Sequence, residues 1–378
     1  MAVPGAPYDD AFRPFYDRLA AALPPGTAWF DVHTHTGVND PDGYRATAAE
    51  IVEGLDRAGH AHALVFPLQE PDGYPDANDR VLAEAEASGQ RLRALCRLDP
   101  HGAAMAEARR CLDAGAVGFK LHPRAEGFEL SQPRVEEIVA LADERRLPIV
   151  VHAGRGIPSL GHDAVELARR HPGARIVLAH AGISDLAWIW SAARELPNLF
   201  FDTAWWNVAD LVALFSLVPP GQILYGSDMP YGSGVWCGLI ALRLGAAVGL
   251  PPETMGEIVG GQLRRVLAGE DPVDLGPAPG PPLQPRWLAA ARALSHLNSG
   301  ISRGFVGADP REPFALARLA CEVPVDDPQR PLLTHVAGLI ERAEVAASED
   351  GARRAAVLYP ALCAALLAGT PGVGVPAV

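Results

Sequence analysis

The chain has 378 residues, room for two domains or for one large α/β domain with an appendage. Hydrophobic residues make up 49% and charged residues 20%, and no apolar run nears 18 residues, which excludes both a disordered chain and a helical membrane span. Forty-five acids against 32 bases give a formal charge of −13, the wrong sign for a protein that binds phosphate backbones, so nucleic acid is not an expected partner.

In chain order, the first residues, MAVPGAPYDDAFRPFYDRLA, lack a basic segment followed by an apolar one, so no secretory signal is read and a cytoplasmic location is expected. Residues 1–27 read as a helical lead-in. Eight short apolar runs rich in β-branched residues follow: 28–35, 62–69, 91–99, 116–123, 147–154, 174–182, 198–204 and 222–230. Amphipathic stretches with apolar spacing near 3.6 separate them, among them 45–59, 133–146 and 163–171. Strands alternating with helices over residues 28–270 predict an α/β fold, a (β/α)8 TIM barrel. The competing architecture is a doubly wound open sheet, but no GxGxxG or GxxxxGK[ST] follows the first run.

The segment 271–285 holds six prolines and reads as a linker, because proline stops both helix and ladder. Residues 286–378 read as a C-terminal α-helical region, with helical patterns at 313–323 and 331–347. A cap packed on the barrel or on a neighbouring subunit is the expected role, and a substrate lid is the alternative. Five separated cysteines form no pair at metal-site or disulfide spacing and are expected as buried thiols.

A barrel gathers the carboxyl ends of its strands into one mouth, where active sites are built. His33 and His35 end the first run, His122 the fourth, His152 the fifth, His180 the sixth and Asp228 the eighth. Strand residues at i and i+2 share a face, so His33 and His35 are expected side by side with Val32 and Thr34 turned outward, and Lys120 is expected beside His122. Imidazole and carboxylate donors without thiolates suit Zn²⁺, Fe²⁺ or Mn²⁺, with zinc the default. A divalent ion there would activate water for hydrolysis.

Thirty-one of the 32 basic residues are arginine, and the one lysine is Lys120. An amine is expected to matter there, as a charged partner of Asp228 or of a substrate carboxylate, or as an acid–base group with a lowered pKa. Arg124 and Arg155, each just past a strand, are candidate carboxylate forks. Trp205 and Trp206, with Met229 and Tyr231, are a candidate apolar wall, and His122 would orient Lys120 or line the pocket.

DVHTH, FKLHP, VVHAG, LAHAG and YGSDMP, on the first, fourth, fifth, sixth and eighth runs, together resemble the amidohydrolase superfamily, most closely its amidohydrolase-related branch, over roughly residues 28–268. EIVGGQLRRVL is similar to the helix that follows the last strand there, with Gln262 where asparagine is common. The resemblance implies that His33, His35, His152 and Asp228 hold a metal and that Asp228 moves the proton of the attacking water. In one-metal members the histidine matching His180 is a base or electrostatic partner. In two-metal members a carboxylated lysine on the fourth strand bridges the ions, and the histidines of strands five and six bind the second; the resemblance thus adds a carboxylated metal bridge to the readings of Lys120, one that needs an uncharged amine arginine cannot supply. The expected function is metal-dependent hydrolysis of a small carboxylate-bearing lactone, amide or ester; a decarboxylase or hydratase on the same ligands is the alternative, and a non-enzymatic binding barrel the third. Expected partners are a small-molecule substrate and, through the C-terminal helices, a second copy of the chain.

Overall fold

The computed structural model describes residues 9–41, 43–154, 160–280, 287–349 and 353–376. Among the described residues nine parallel strands run in chain order: β1 Phe30–Thr36, β2 His62–Pro67, β3 Leu92–Ala94, β4 Cys96–Arg97, β5 Phe119–Leu121, β6 Pro148–Val151, β7 Arg175–Leu178, β8 Leu199–Asp202 and β9 Ile223–Leu224. β1, β2 and β3 form one ladder and β4 to β9 the other. Both seams are bridged. β3 and β4 are one stave interrupted at Leu95, whose amide still donates to Val65 on β2, while Ala94 accepts from Val117 next to β5. At the other seam Val32 and His35 donate to Tyr225 and Met229, and Asp228 donates back to His33. Eight staves therefore close into the TIM barrel the sequence predicts.

The strands are buried along nearly their whole length, as parallel strands covered on both faces must be. Inside, Val32, Leu64, Leu95, Val150, Val177, Phe200 and Leu224 meet in one apolar plug that holds the staves apart and supports the rim above it. Val32 corrects the expected alternation. A register shift between Asp31 and Thr34 lets Val32 join the plug while His33, its neighbour, also reaches the interior.

The crossovers carry the expected signals. Helix Ala48–Ala58 begins at a reciprocal Thr47–Glu50 capping box and ends at Gly59 in the left-handed region, φ 73°, which only glycine adopts cheaply. Helices Pro133–Arg145 and Gly161–Arg170 lie where the apolar spacing puts them. Gln262 donates to Gly221 and Val273 and accepts from Val273, fastening the chain leaving the barrel to its base.

Beyond the barrel, four helices pack together: Leu288–Phe305, Arg311–Leu319, Arg330–Ser348 and Arg354–Gly369. The first and last lie outside the predicted helical patterns, although the first buries positions 290, 293, 297, 300, 301 and 304 at helical spacing. Arg354–Gly369 is apolar on every side and is buried along most of its length, so no stripe marks its direction. Its end is fixed by Arg243 of helix Gly234–Ala247, a fully buried guanidinium that donates to Thr370 Oγ1 at 2.6 Å and to the carbonyls of Thr370, Val373 and Gly374. A cation is well placed against the carbonyl end of a helix. No helix among the described residues is long and apolar enough to cross a membrane.

Candidate metal centre and active site

At the carboxyl ends of the strands His33 Nε2 and His35 Nε2 lie 3.2 Å apart, and Asp228 Oδ1 is 3.3 Å from the first and 3.1 Å from the second. Three donor atoms converge on one point, and they are the candidate metal cluster among the described residues. The backbone is bent to bring them there: Asp228 has φ 57° and His180 φ 56°, conformations that non-glycine residues hold mainly where the surroundings force them. Asp31 Oδ1 accepts from the amides of His33 and Ser227, tying the bulge of β1 to the turn that carries Asp228.

Proton bookkeeping shows that the cluster fits a divalent cation. Asp202 Oδ2 accepts from His33 Nδ1 at 2.7 Å while Oδ1 accepts the amides of His180 and Ala204. With Nδ1 carrying the hydrogen, the lone pair of His33 Nε2 points at the cluster, the outer-carboxylate arrangement that orients metal-binding histidines. Burial, with Lys120 nearby adding to it, holds His33 and His35 well below the usual imidazole pKa, so both rings are neutral donors. Two imidazole nitrogens and a carboxylate oxygen 3.1–3.3 Å apart offer a divalent cation a compact set of nitrogen and oxygen donors.

His180 and His152 are placed otherwise. A carbonyl only accepts, so Ala204 O, 2.6 Å from His180 Nδ1, fixes the hydrogen there and leaves His180 Nε2 as acceptor. It lies 3.1 Å from His152 Nδ1, which donates. The relay ends at His152 Nε2, a buried nitrogen with no hydrogen-bond partner among the described residues. His122 stacks on His152, centroids 3.8 Å apart, and its Nδ1 accepts from Ala125 N–H as it caps the short helix Pro123–Glu126.

Lys120 is fully buried, its Nζ 4.7 Å from the centroid of Phe66 and without a hydrogen-bond partner among the described residues. The direct pairing with Asp228 is therefore not formed. Burial, then the charge of Arg97, lower the amine to about 7. Arg97, which sequence reasoning missed, lies opposite Lys120 in register, fully buried, with Nη2 2.7 Å from Glu126 and its plane over Tyr74. Its signal was present: Arg97 shares a strand face with Leu95, as a rim residue above the plug should. Asp202, at the end of the seventh predicted run, was missed likewise.

These residues floor a cavity of about 590 Å³. His122, Arg124 and Trp205 line it; Arg155 lies outside the described residues. Trp205 anchors its indole N–H on Asp210 at 2.7 Å and stands edge-on to His180. Tyr231 donates to Asp40 Oδ1 and stands edge-on to His35. Met229 is buried in the cluster formed by β2, β3 and helices Ala48–Ala58 and Pro75–Ala87 and is no part of the wall. The lining carries four basic side chains, Arg97, Lys120, Arg124 and Arg354, against two carboxylates, Asp40 and Asp228, in a chain whose formal charge is −13.

A closed parallel barrel with imidazoles and a carboxylate gathered at the strand ends is the architecture of a TIM-barrel enzyme. The chain belongs to the amidohydrolase family, whose model matches residues 30–236. Structures of the same fold include 5-carboxyvanillate decarboxylase from Sphingomonas paucimobilis, at 14% identity and TM-score 0.52, and 2,6-dihydroxybenzoate decarboxylase, at 16% and 0.50. A third is an uncharacterized TIM-barrel protein from Bordetella bronchiseptica, at 16% and 0.52; each alignment covers 64% of this chain and 99% of the other. No curated protein matches the chain by sequence.

Proposed function

We propose that the protein is a metal-dependent hydrolase of a small carboxylate-bearing lactone, amide or ester. The observation that carries this reading is the convergence of His33 Nε2, His35 Nε2 and Asp228 Oδ1 on the floor of a cavity whose lining is more cationic than the chain. His33, His35 and Asp228 hold one divalent ion, zinc by default, and the unpartnered Nε2 of His152 supplies a fourth lone pair. Bound there, the ion supplies Lewis acidity and lowers the pKa of water.

The protein's own groups do the rest. Asp228 turns Oδ1 to the imidazoles while Oδ2 lies 4.0 Å from His180 Nδ1, so its carboxylate reaches both the metal ligands and the histidine relay and is placed to take the proton of the attacking water and return it to the leaving group. His180 holds His152 through the Ala204-fixed tautomer and remains an acid–base partner rather than a ligand. Lys120 and Arg97 set a positive field at the reacting end, with Arg124 and Arg155 as outer forks for the substrate carboxylate, while Trp205 and His122 offer planar surfaces. With a single ion Lys120 has no bridge to make; carboxylation of its amine is the form a second ion would call for.

A second reading, decarboxylation or hydration on the same ligands, is favoured by the aromatic side of the cavity, where Trp205, Trp206 and Tyr231 suit a planar acid. Decarboxylation is also the activity for which two of the similar structures are named. The proposal includes self-association through the C-terminal helices, which expose Leu288, Leu316, Leu319 and Val345. It also includes a cytoplasmic location.

The test is a panel of lactones, esters and amides of carboxylic acids beside planar aromatic acids, assayed with zinc or manganese supplied. Hydrolysis by the wild type and its loss in Asp228→Asn, with circular dichroism unchanged, is the expected result. Release of carbon dioxide or hydration with no hydrolysis establishes the second reading instead, and full activity in Asp228→Asn removes the proton role.

A further inference from the structure

The cavity has a roof that the family-matched segment does not contain. Helices Leu288–Phe305 and Arg354–Gly369 lie wholly after residue 236, where the family match ends, yet Phe305, Arg354, Leu358 and Leu362 line the same cavity as His33 and Asp228. Positions 354, 358 and 362 recur every four residues and so share one face of the last helix, an arginine followed by two leucines. Leu358 and Leu362 are buried, whereas Arg354, in the first turn, is exposed and makes no hydrogen bond or ion pair among the described residues.

This roof is fastened to the reacting end. The ring of Phe305 lies 4.8 Å from that of Trp206, which lies 5.6 Å from Trp205 beside His180. Tyr359 donates its hydroxyl hydrogen to the carbonyl of Tyr231 at 3.3 Å, and the amide of Tyr231 donates to the carbonyl of Asp228 at 2.7 Å. Arg243 clamps the opposite end of the helix. The apolar wall therefore stands at a fixed height over the metal-ligand turn, an arrangement suited to reading the body of a substrate rather than to opening and closing.

We propose that these two helices are the specificity element of the site: Phe305, Leu358 and Leu362, with Trp206, enclose an aromatic or similarly sized apolar body, and Arg354 at the mouth captures a carboxylate at its distal end. The substrate class is an acid whose carboxylate and reacting group lie at opposite ends of an apolar body. A cavity of about 590 Å³ with an apolar wall on one side and convergent polar groups on its floor has the size and form of a small-molecule site. This inference rests on the reading of the cavity as the active site, and it is tested by binding alone.

The experiment is calorimetric titration of the full chain with phenylacetate, its neutral counterpart 2-phenylethanol, and acetate. Wild type binds phenylacetate more tightly than either. Arg354→Gln, an exposed change that leaves the fold intact, weakens phenylacetate about tenfold, the loss of one charge-assisted hydrogen bond, and leaves 2-phenylethanol unchanged. Leu358→Trp fills the roof and abolishes binding of both ring compounds. Equal phenylacetate affinity in Arg354→Gln and wild type overturns the anion capture, and equal affinity in Leu358→Trp overturns the roof. A variant with His33 and His35 replaced by alanine separates the two claims: retained metal there sinks the proposed metal site, while the effect of Arg354→Gln on phenylacetate, measured in that variant, judges the roof independently.

Discussion

The barrel rim and the helices above it line one cavity, but they were built by different rules. At the rim, chemistry is written in single residues at strand ends: shifting His33 by one position in an unbulged strand turns it out of the barrel. In the roof, chemistry is a shape. Leu358 and Leu362 are replaceable by any apolar side chain of like volume, and their contribution lies in where Arg243 and Tyr359 hold them. The difference teaches that the rim depends on residue identity at single positions, whereas the roof depends on packed volume and on what holds it in place.

The largest effect breaks the rim. Replacing His33 and His35 with alanine removes two of three converging donors, so elemental analysis should find the metal gone and assays should find no turnover, while circular dichroism and the roof stay as they were. One step out, Asp202→Asn removes the carboxylate that fixes the His33 tautomer. Metal affinity should fall about 10–100-fold, read by competition with a chelator, without loss of the ligands themselves.

The roof breaks differently. Arg243→Leu deletes a buried cation and orphans the carbonyls of Thr370, Val373 and Gly374, and should cost about 3 kcal/mol in denaturant unfolding. Hydrogen exchange should rise in residues 354–369, and metal content should not change. If the metal is lost as well, rim and roof are one cooperative unit rather than two.

A further effect concerns pH. His60 is buried against Trp29, rings stacked 4.4 Å apart, and burial lowers its pKa to about 3, against about 6.5 in an unfolded chain. As pH falls from about 6.5 towards 3, the unfolded state takes up a proton that the folded state refuses, so stability declines across that window and is unaffected above it. His60→Phe, measured by thermal melts between pH 4 and 7, should flatten the acid side of the profile.

Much of this was legible before any coordinates. Strand and helix alternation gives the barrel, and the i and i+2 spacing of His33 and His35 gives two of the three converging donors. What was hidden depended on geometry that no local pattern encodes. The register shift in β1 puts Val32 inside with the histidines. The Ala204 carbonyl sets the His180 tautomer and so binds His180 to His152. Asp202 and Arg97 stood at strand ends but belong to residue types that surfaces also use freely. The helix Arg354–Gly369 has no polar face to betray which side meets the cavity, so its part in the site emerges only from packing.

The most direct test of the account is metal stoichiometry per chain, measured by elemental analysis on protein expressed with zinc, manganese and bicarbonate supplied. A single ion is predicted, lost when His33 and His35 become alanine and retained in Lys120→Arg. Two ions per chain, with one lost in Lys120→Arg, would contradict it, because Lys120 would then be a bridge and the His152–His180 pair the ligands of a second ion.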